Sequence, residues 1–414
     1  MHTPPRFGVN YVPSGDWFYS WLSPRWDAIR RDLDAIAALG LDHVRILPLW
    51  PVLQPNRTWI RPEALADVRR VAELAGAAGL GFSVDAVQGH LSSFDFVPSW
   101  LTSWHRRNLF TDPSVVDAQA ELVASLHGAV GDLPGYLGLT LGNEVNQFSS
   151  RPHPSPMPAT PAEAGAWITR LMDAVPDGPR VHAAYDALWY QDSHPFEPEH
   201  ASRYGDLTAV HSWIFNGTAQ HYGAMSGPSV RHAEYLMELS RAFALDRSRP
   251  VWLQEIGAPL NVLTPDQAPA FCRESVLAAA SCDALWGVTW WCSHDVPRHL
   301  ADFPELEHTL GLFDADGVVK PIGKAFAAVA REVRASPPPP TRTVAVEIAQ
   351  PLRRSTLAPG GSVFTAWMEA ADRGERPALT LAGSGDVFDT VLPASAQGVP
   401  GVYSAVSDSE MFDG

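Results

Sequence analysis

The sequence is poor in cysteine and in lysine. Its 414 residues include only three cysteines, Cys272, Cys282 and Cys292, which show no CxxC spacing and lie in apolar segments. This pattern argues against a disulfide framework or a zinc site and predicts buried, reduced thiols. Only two of the thirty basic residues are lysines, Lys320 and Lys324, and we assign no function to that bias.

Long apolar runs are also missing. No stretch of eighteen apolar residues occurs, and residues 1–11 lack the cationic start and apolar run of a signal peptide, so the sequence predicts neither a membrane span nor secretion. We therefore expect a cytoplasmic location. The formal net charge of −16 would repel phosphate backbones and anionic membranes, which argues against nucleic acid and membranes as partners and leaves small neutral substrates.

The sequence does contain a large apolar fraction arranged in alternating elements. Hydrophobic residues make up 46% and charged residues 18% of the chain, which is enough apolar material for a large core. Short apolar runs alternate with amphipathic helical stretches as far as residue 335, and this alternation predicts a (β/α)8 TIM barrel with enlarged loops. The predicted strands are residues 7–11, 44–47, 82–87, 137–141, 181–185, 207–211, 251–255 and 287–291.

Helix starts are marked by a capping side chain followed by proline, because proline in the first helical turn loses no hydrogen bond. This signal occurs at Ser23-Pro24, Asp112-Pro113, Thr160-Pro161 and Thr264-Pro265. One connection lacks a clear pattern: residues 186–206 are rich in histidine, proline and glutamate. We expect this segment to be irregular or to form part of the wall of a site.

A proline run at residues 337–340 marks a domain boundary, since composition changes there from helix-rich to strand-rich. We predict a catalytic barrel over residues 1–336, a linker over 337–341, and a small β-rich domain over 342–414 that forms a β-sandwich. A domain this small should lean on the barrel. Its predicted strands are residues 344–348, 363–368, 379–381, 387–392 and 402–406.

Two carboxylates follow strand-like runs, where the active sites of such barrels lie. The fourth run ends at Asn143-Glu144 and the seventh at Glu255. Strands four and seven face each other across an eight-stranded ring, so the two glutamates could flank a sugar, as in a retaining glycosidase. Either glutamate alone could instead cap a helix or pair with an arginine, but a matched pair favours the catalytic interpretation.

With these residues in place, the sequence resembles the clan of retaining (β/α)8 glycoside hydrolases, and most of all glycoside hydrolase family 5. In that clan an Asn-Glu pair after strand four supplies the acid/base and a glutamate after strand seven the nucleophile, which Asn143-Glu144 and Glu255 match. The further matching residues are Arg45 at strand two, His90 at strand three, His211 at strand six, and Trp291 with Asp295 at strand eight.

The resemblance implies roles for these side chains. Arg45 would keep the nucleophile Glu255 ionised, whereas burial and the charge of Glu255 would keep Glu144 protonated. Asn143 would contact the sugar 2-hydroxyl, and His211 would orient either a carboxylate or that hydroxyl.

Aromatic side chains complete the implied site. Trp291 is the first choice for a platform beneath the sugar ring and Trp290 the second. At His211-Ser212-Trp213 the sequence departs from the His-x-Tyr of many family members, so the indole N–H of Trp213 could replace the tyrosine hydroxyl or simply line the pocket.

The expected function is a retaining β-glycosidase that needs no cofactor and no metal and acts on a small oligosaccharide. Long loops at residues 146–159 and 186–206 favour exo action in a closed pocket. The chain is similar to actinobacterial β-mannosidase-type members, which implies hydrolysis of mannosyl-β-1,4-N-acetylglucosamine. The alternatives are a β-glucosidase, a β-galactosidase, an endo-β-mannanase, a metal-dependent sugar isomerase, or a non-catalytic carbohydrate-binding protein on this scaffold. A homo-oligomer is left open.

Overall fold

Eight parallel strands close into a barrel in the computed structural model, which describes residues 4–385 and 388–391. Around the ring the order is β1-β8-β7-β6-β5-β4-β3-β2, so the predicted TIM barrel is confirmed and each predicted run overlaps one of its strands. The strands are β1 Arg6–Tyr11, β2 His43–Ile46, β3 Gly81–Val87, β4 Tyr136–Gly142, β5 Arg180–His182, β6 Leu207–Ser212, β7 Val251–Ile256 and β8 Leu285–Trp290.

One helix follows each strand. Asp112 caps α3 by accepting a hydrogen bond from the Ser114 backbone N–H, and Thr160 forms a capping box with Glu163 at the start of α4. Helices α1 and α7 begin a few residues later than their cap-proline signals predicted. The helices are α1 Trp26–Ala38, α2 Pro62–Ala77, α3 Pro113–Val130, α4 Pro161–Met172, α5 Pro198–Arg203, α6 His232–Phe243, α7 Ala268–Ala279 and α8 Pro321–Ala335.

Short elements lie in the loops between strands and helices. Residues 186–206, which gave no clean helical pattern, contain Ala187–Tyr190 and the one-and-a-half-turn α5. A two-stranded hairpin, His90–Leu91 with Phe94–Asp95, follows β3. The other short helices are Trp17–Leu22, Trp50–Leu53, Val145–Ser149, Thr218–Tyr222, Gly227–Val230, Glu305–His308 and Arg354–Thr356.

The amino-terminal half of the barrel interior is closed by packed side chains. The Thr289 hydroxyl lies 2.8 Å from the His43 ring and 2.7 Å from the Trp252 indole nitrogen. Gly8 makes room for this layer, because a Cβ at that position would lie 2.4 Å from the His43 ring. Arg45 lies two residues further along the same strand face as His43, so the polar groups of the barrel collect at its carboxyl end.

The C-terminal region consists of three parallel strands and a helix in the part that the structure describes. Strands β9 Val344–Ile348, β10 Pro377–Leu381 and β11 Asp389–Val391 are ordered β10-β9-β11, and α9 spans Ser362–Asp372. The strand predicted at 363–368 is therefore wrong, and the described residues do not show a β-sandwich. The predicted strand 387–392 contains β11 but has both end residues outside the described part of the chain. The prediction at 402–406 lies wholly outside it.

This region packs against α6 of the barrel, as expected for so small a unit. The Tyr235 hydroxyl donates to the Leu357 carbonyl at 2.8 Å, and its ring lies 4.7 Å from that of Phe364. Buried Arg342 pairs with Glu234 at 2.9 Å and Glu238 at 3.3 Å. The two parts therefore share one core.

The three cysteines are buried free thiols, as predicted. In the described part of the chain, no helix combines the length and the hydropathy required to cross a membrane.

Candidate active site

A cavity opens at the carboxyl end of the barrel strands. The loops that follow β3, β4, β5, β6 and β8 contribute to it, together with the end of β7. Its lining residues are His90, Ser92, Ser93, Asn143, Glu144, Gln147, Tyr185, Trp213, Phe215, Asn216, Glu255, Trp291, Leu306, Glu307 and Leu310.

Glu144 and Glu255 face each other across this cavity. One carboxylate oxygen of each, together with a ring nitrogen of His211, lie within 4.8 Å of one another. Glu144 comes directly after β4 with a φ of 46°, and Glu255 lies near the end of β7. Both side chains are nearly buried. This separation matches the close carboxyl pair of retaining glycosidases and is shorter than the spacing of about 6.5 to 9.5 Å in inverting ones.

Arg45 connects the polar groups beneath the cavity. Its Nε and Nη2 donate to Asp85 at 2.9 and 2.5 Å, and Nη1 donates to Glu255 Oε1 at 2.8 Å. Nη1 also donates to Asn10 Oδ1 and Nη2 to Asn143 Oδ1, at 3.0 and 2.7 Å. Because the guanidinium is fully buried and each of its nitrogens is used, it fixes the position of Glu255.

His211 stands between the two glutamates. Its Nδ1 lies 2.7 Å from Glu144 Oε1 and 3.4 Å from Glu255 Oε2. Its Nε2 lies 3.1 Å from Gln254 Oε1, and the Gln254 amide in turn donates to Thr140 Oγ1 at 3.0 Å. Since Gln254 accepts the proton of Nε2, Nδ1 shares any second proton with Glu144. The histidine therefore orients a carboxylate, which is one of the two roles expected for it.

The pKa values of Glu144 and Glu255 shift in the directions opposite to those expected from the charge of Arg45 alone. Burial works to raise the pKa of Glu144, but the hydrogen bond and charge of His211 outweigh burial and hold that pKa below its ordinary value. Burial raises the pKa of Glu255, against the opposing effects of His211 and Arg45. Burial lowers the pKa of His211, but the charges of Glu255 and Glu144 outweigh burial and raise it. These directions favour His211 over Glu144 as the holder of the shared proton.

The reversal follows from the burial of Glu255 and from the contact of His211 with Glu144; Arg45 does not prevent it, because its guanidinium is shared with Asp85. The Asp85 carboxylate takes two hydrogen bonds from the Arg45 guanidinium and balances its charge, so less of that charge acts on Glu255. Asp85 was absent from the sequence-based site. A carboxylate inside the apolar run of β3 was the available signal.

Four further predicted residues line the cavity. The Trp213 indole N–H donates to Glu255 Oε2 at 3.2 Å, so it supplies the donor that a tyrosine hydroxyl would have provided. Asn143 accepts from Arg45 and donates to the His90 carbonyl at 3.1 Å. His90 Nδ1 lies 3.0 Å from Asp95, and Trp291 presents its ring to the same space.

Two predicted residues, Trp290 and Asp295, neither line the cavity nor hydrogen-bond to Glu144 or Glu255. Trp290 is fully buried, packs on Phe326 and donates to the Leu310 carbonyl at 3.3 Å, as a core residue does. Both oxygens of Asp295 lie within 3.0 Å of Lys320 Nζ, and one accepts from the Gly311 backbone. Asp295 thereby anchors the loop after β8.

Sequence reasoning also missed Glu307. This side chain is 7% exposed, lines the cavity and lies 3.4 Å from the Trp291 indole nitrogen. Burial raises the pKa of Glu307 to about 7. No strand precedes it directly, so its position in the sequence gave no signal.

The donor set of Glu144, His211 and Glu255 could in principle reach a single metal ion. Arg45 already places a fixed positive charge 2.8 Å from Glu255, and a second cation beside it would be repelled. The arrangement fits acid-base and nucleophilic chemistry better than metal binding.

Solved structures of GH5_18 proteins resemble this chain closely. One from Bifidobacterium longum subsp. infantis is 50% identical and aligns over 98% of this chain and 100% of its own, with a TM-score of 0.95. A glutamate-to-alanine variant from Streptomyces cattleya, in complex with Manβ1-4GlcNAc, is 50% identical over 94% and 99% of the two chains, with a TM-score of 0.92. Another such variant, from Bifidobacterium longum subsp. longum and bound to the same sugar, is 47% identical over 96% and 99%, with a TM-score of 0.92.

An exo-β-1,4-mannosidase from an Opitutaceae bacterium, at 22% identity and a TM-score of 0.75, shares the fold. No family model matches the chain, and no curated protein matches it.

Proposed function

Because this chain belongs to glycoside hydrolase family 5, in subfamily 18, we propose that it is a retaining, exo-acting β-mannosidase that hydrolyses Manβ1-4GlcNAc. The observation that carries this proposal is the pair Glu144 and Glu255, with oxygens within 4.8 Å of each other and of the His211 ring. The sugar is taken from the Manβ1-4GlcNAc complexes of two relatives at 47% and 50% identity.

In the proposed mechanism Glu255 attacks the anomeric carbon while Glu144 gives a proton to the glycosidic oxygen. The C–O bond to the leaving sugar breaks and a glycosyl ester forms on Glu255. Glu144 then takes a proton from water, whose oxygen attacks the anomeric carbon, releases Glu255 and restores the original configuration. Arg45 and Trp213 hold the Glu255 oxygens in position for the attack.

The position of His211 explains how Glu144 obtains the proton that it gives to the glycosidic oxygen. It shares one proton with Glu144 across 2.7 Å, and the negative charge of Glu255 helps to hold that proton. As the ester forms, this charge is lost and the proton affinity of His211 falls. In the same step the shared proton passes through Glu144 to the glycosidic oxygen while the bond from that oxygen to the anomeric carbon breaks, and Glu144 is left as the carboxylate base for the second step.

Exo action is supported by an aromatic cluster that packs behind Trp291, whose ring lies 6.5 Å from that of Trp17. We call this cluster the aromatic wall; it consists of Trp17, Phe18, Phe94, Phe96 and Phe303. The Phe303 ring lies 5.0 Å from Trp17 and 4.8 Å from Phe94, and Phe18 lies 5.9 Å from Phe96. These residues join the loops after β1, β3 and β8. A longer glycan would have to pass through them.

The test is hydrolysis of Manβ1-4GlcNAc, together with aryl β-mannoside, β-glucoside and β-galactoside, by the purified protein. We expect the mannosides to be preferred, with the β-anomer of mannose as the first product by NMR. Glu144→Gln and Glu255→Gln should each lower kcat by at least about 10²-fold, whereas Glu305→Gln, an exposed glutamate, should not.

An α-anomer as first product would contradict retention, and release of internal fragments from mannohexaose would contradict exo action. If wild type binds mannosides without turnover, and both glutamine variants bind equally well, a carbohydrate-binding protein is the better description. Loss of activity in EDTA would favour a metal-dependent reaction.

A further inference from the structure

A third carboxyl group, that of Glu307, lies in the cavity and has no part in the double displacement. It sits in the short helix Glu305–His308 of the loop after β8, and the neighbouring Leu306 and Leu310 also line the cavity. The side chain is 7% exposed and lies 3.4 Å from Trp291 Nε1, within the wall beside the aromatic platform.

Among the described residues, Glu307 lacks the cation that three other buried carboxylates have. Asp85, Glu238 and Asp295 each have an arginine or lysine nitrogen within 3.0 Å. Within residues 4–385 and 388–391, no ion pair joins Glu307 to a basic side chain. A buried carboxylate without a cation is costly, so the group tends to keep its proton, and burial raises its pKa to about 7.

A protonated carboxyl group offers one O–H donor and one carbonyl acceptor. The Trp291 indole N–H occupies one acceptor position, and the Ser92 hydroxyl is the other polar contact of the carboxyl group, which leaves a further hydrogen-bonding position for a ligand in the cavity. Sugar hydroxyl groups both accept and donate. The group is therefore suited to a neutral polyol and unsuited to an anion.

The side of the cavity identifies which sugar Glu307 would meet. Glu144 protonates the leaving oxygen, so the leaving sugar lies towards Glu144 and its neighbour Gln147, in the loop after β4. Glu307 and the aromatic wall belong to loops after β1, β3 and β8, beyond Trp291. That side receives the non-reducing end of the substrate.

We propose that Glu307 is a specificity-determining residue, which hydrogen-bonds the 4- or 6-hydroxyl of the terminal mannosyl unit and so selects an unextended sugar. This inference rests on the proposed function. The aromatic wall limits the volume for a further sugar. Glu307 hydrogen-bonds the free hydroxyl that such a sugar would substitute or cover.

The experiment compares 4-nitrophenyl β-mannoside with its 4-deoxy and 6-deoxy analogues in wild type, Glu307→Met and Glu307→Gln. Methionine keeps the volume and removes both polar atoms, whereas glutamine keeps one donor and one acceptor. We expect wild type to lose about 10- to 100-fold in kcat/KM on one analogue. On the parent mannoside, kcat/KM of Glu307→Met should fall below that of wild type by about the same factor, and it should fall little further on that analogue. Glu307→Gln should have most of the wild-type kcat/KM on the parent mannoside.

Glu305→Gln, in the same short helix, is the matched control, because its carboxylate is exposed and pairs with Arg298. Equal losses for Glu307→Met on all three substrates would overturn the inference, as would wild type losing less than about threefold on both analogues, a result that needs no variant to fold. Absence of mannoside hydrolysis by wild type would instead refute the proposed function.

Discussion

Arg45 holds four side chains of the candidate site at once: Asp85, Glu255, Asn143 and Asn10. The sequence predicted its contact with Glu255 through the family resemblance. It did not predict Asp85, which shares the guanidinium with Glu255. The charges around a site residue therefore depend on side chains that come from other strands.

Trp213 illustrates the same point for a single hydrogen bond. The family pattern left two readings open, a donor to the nucleophile or a pocket lining. Only the position of its indole nitrogen, 3.2 Å from Glu255 Oε2, shows that it does both.

Glu307 leads to a prediction at the residue scale. Its pKa is raised from 4.5 to about 7 on folding, so the folded protein binds more protons than the unfolded chain between these pH values. Stability from this group is present below about pH 4.5 and is lost as the pH rises through 7. With about 1.4 kcal/mol for each tenfold change in proton affinity, the loss is about 3 kcal/mol.

The glutamine of Glu307→Gln cannot ionise, so this variant should lack this dependence of stability on pH. Urea unfolding of both proteins at pH 5 and pH 8 measures it, and wild type should lose up to about 3 kcal/mol more than the variant over that range. Parallel pH profiles for the two proteins would show that Glu307 is already ionised at pH 5.

At the scale of elements, the eight barrel strands were predictable because each is a short apolar run bounded by turn residues. The segment 363–368 was wrongly predicted as a strand, because a short apolar run does not distinguish the periodicity of a helix from that of a strand. In α9, Val363, Phe364, Trp367 and Ala371 are buried on one face at helical spacing. The pattern becomes clear only over the full eleven residues.

The hairpin after β3 is tied to the loop after β4 by Asp95. Its carboxylate lies 3.0 Å from His90 Nδ1 and 2.9 Å from His153 Nε2. Burial works to raise the pKa of Asp95, but hydrogen bonds from His153 and His90 outweigh burial and hold that pKa well below its ordinary value. The Asp95 carboxylate therefore stays ionised at neutral pH and holds His90 at the cavity.

Asp95→Asn should weaken this bridge, because an amide offers only one oxygen to the two rings. We expect KM for aryl β-mannoside to rise about fivefold, equivalent to about 1 kcal/mol, with little change in kcat, since neither glutamate moves. Steady-state kinetics measures KM and kcat, and Asp302→Asn, in an exposed loop, is the control. A fall in kcat at unchanged KM would place Asp95 in the chemistry instead.

At the scale of the whole molecule, the C-terminal region holds a part of the barrel that sequence patterning could not assign. The Arg354 guanidinium donates to the carbonyls of Leu188, Asp192, His194 and Phe196 at 2.7 to 3.1 Å. These four lie in the segment 186–206. Tyr185, which lines the cavity, directly precedes this segment.

Arg354→Met should leave these four carbonyls without a donor and lower the free energy of unfolding by about 2 to 4 kcal/mol. Urea unfolding measures the change, and proteolysis should cut residues 186–206 first. Arg353→Met provides the control, because the neighbouring Arg353 is exposed. A loss of stability equal to that of the control would mean that the segment holds its shape without the C-terminal region.

The sequence by itself determined the barrel and the two glutamates at its carboxyl end. Both follow from local patterns: the alternation of strand and helix periods, and polar residues at the points where apolar runs stop. Only the tertiary structure decided which groups share the proton of the site, what surrounds Arg45, and that Glu307 reaches the cavity. These depend on contacts between residues as far apart as Arg45 and Glu255, 210 positions along the chain, and no local pattern encodes such distances.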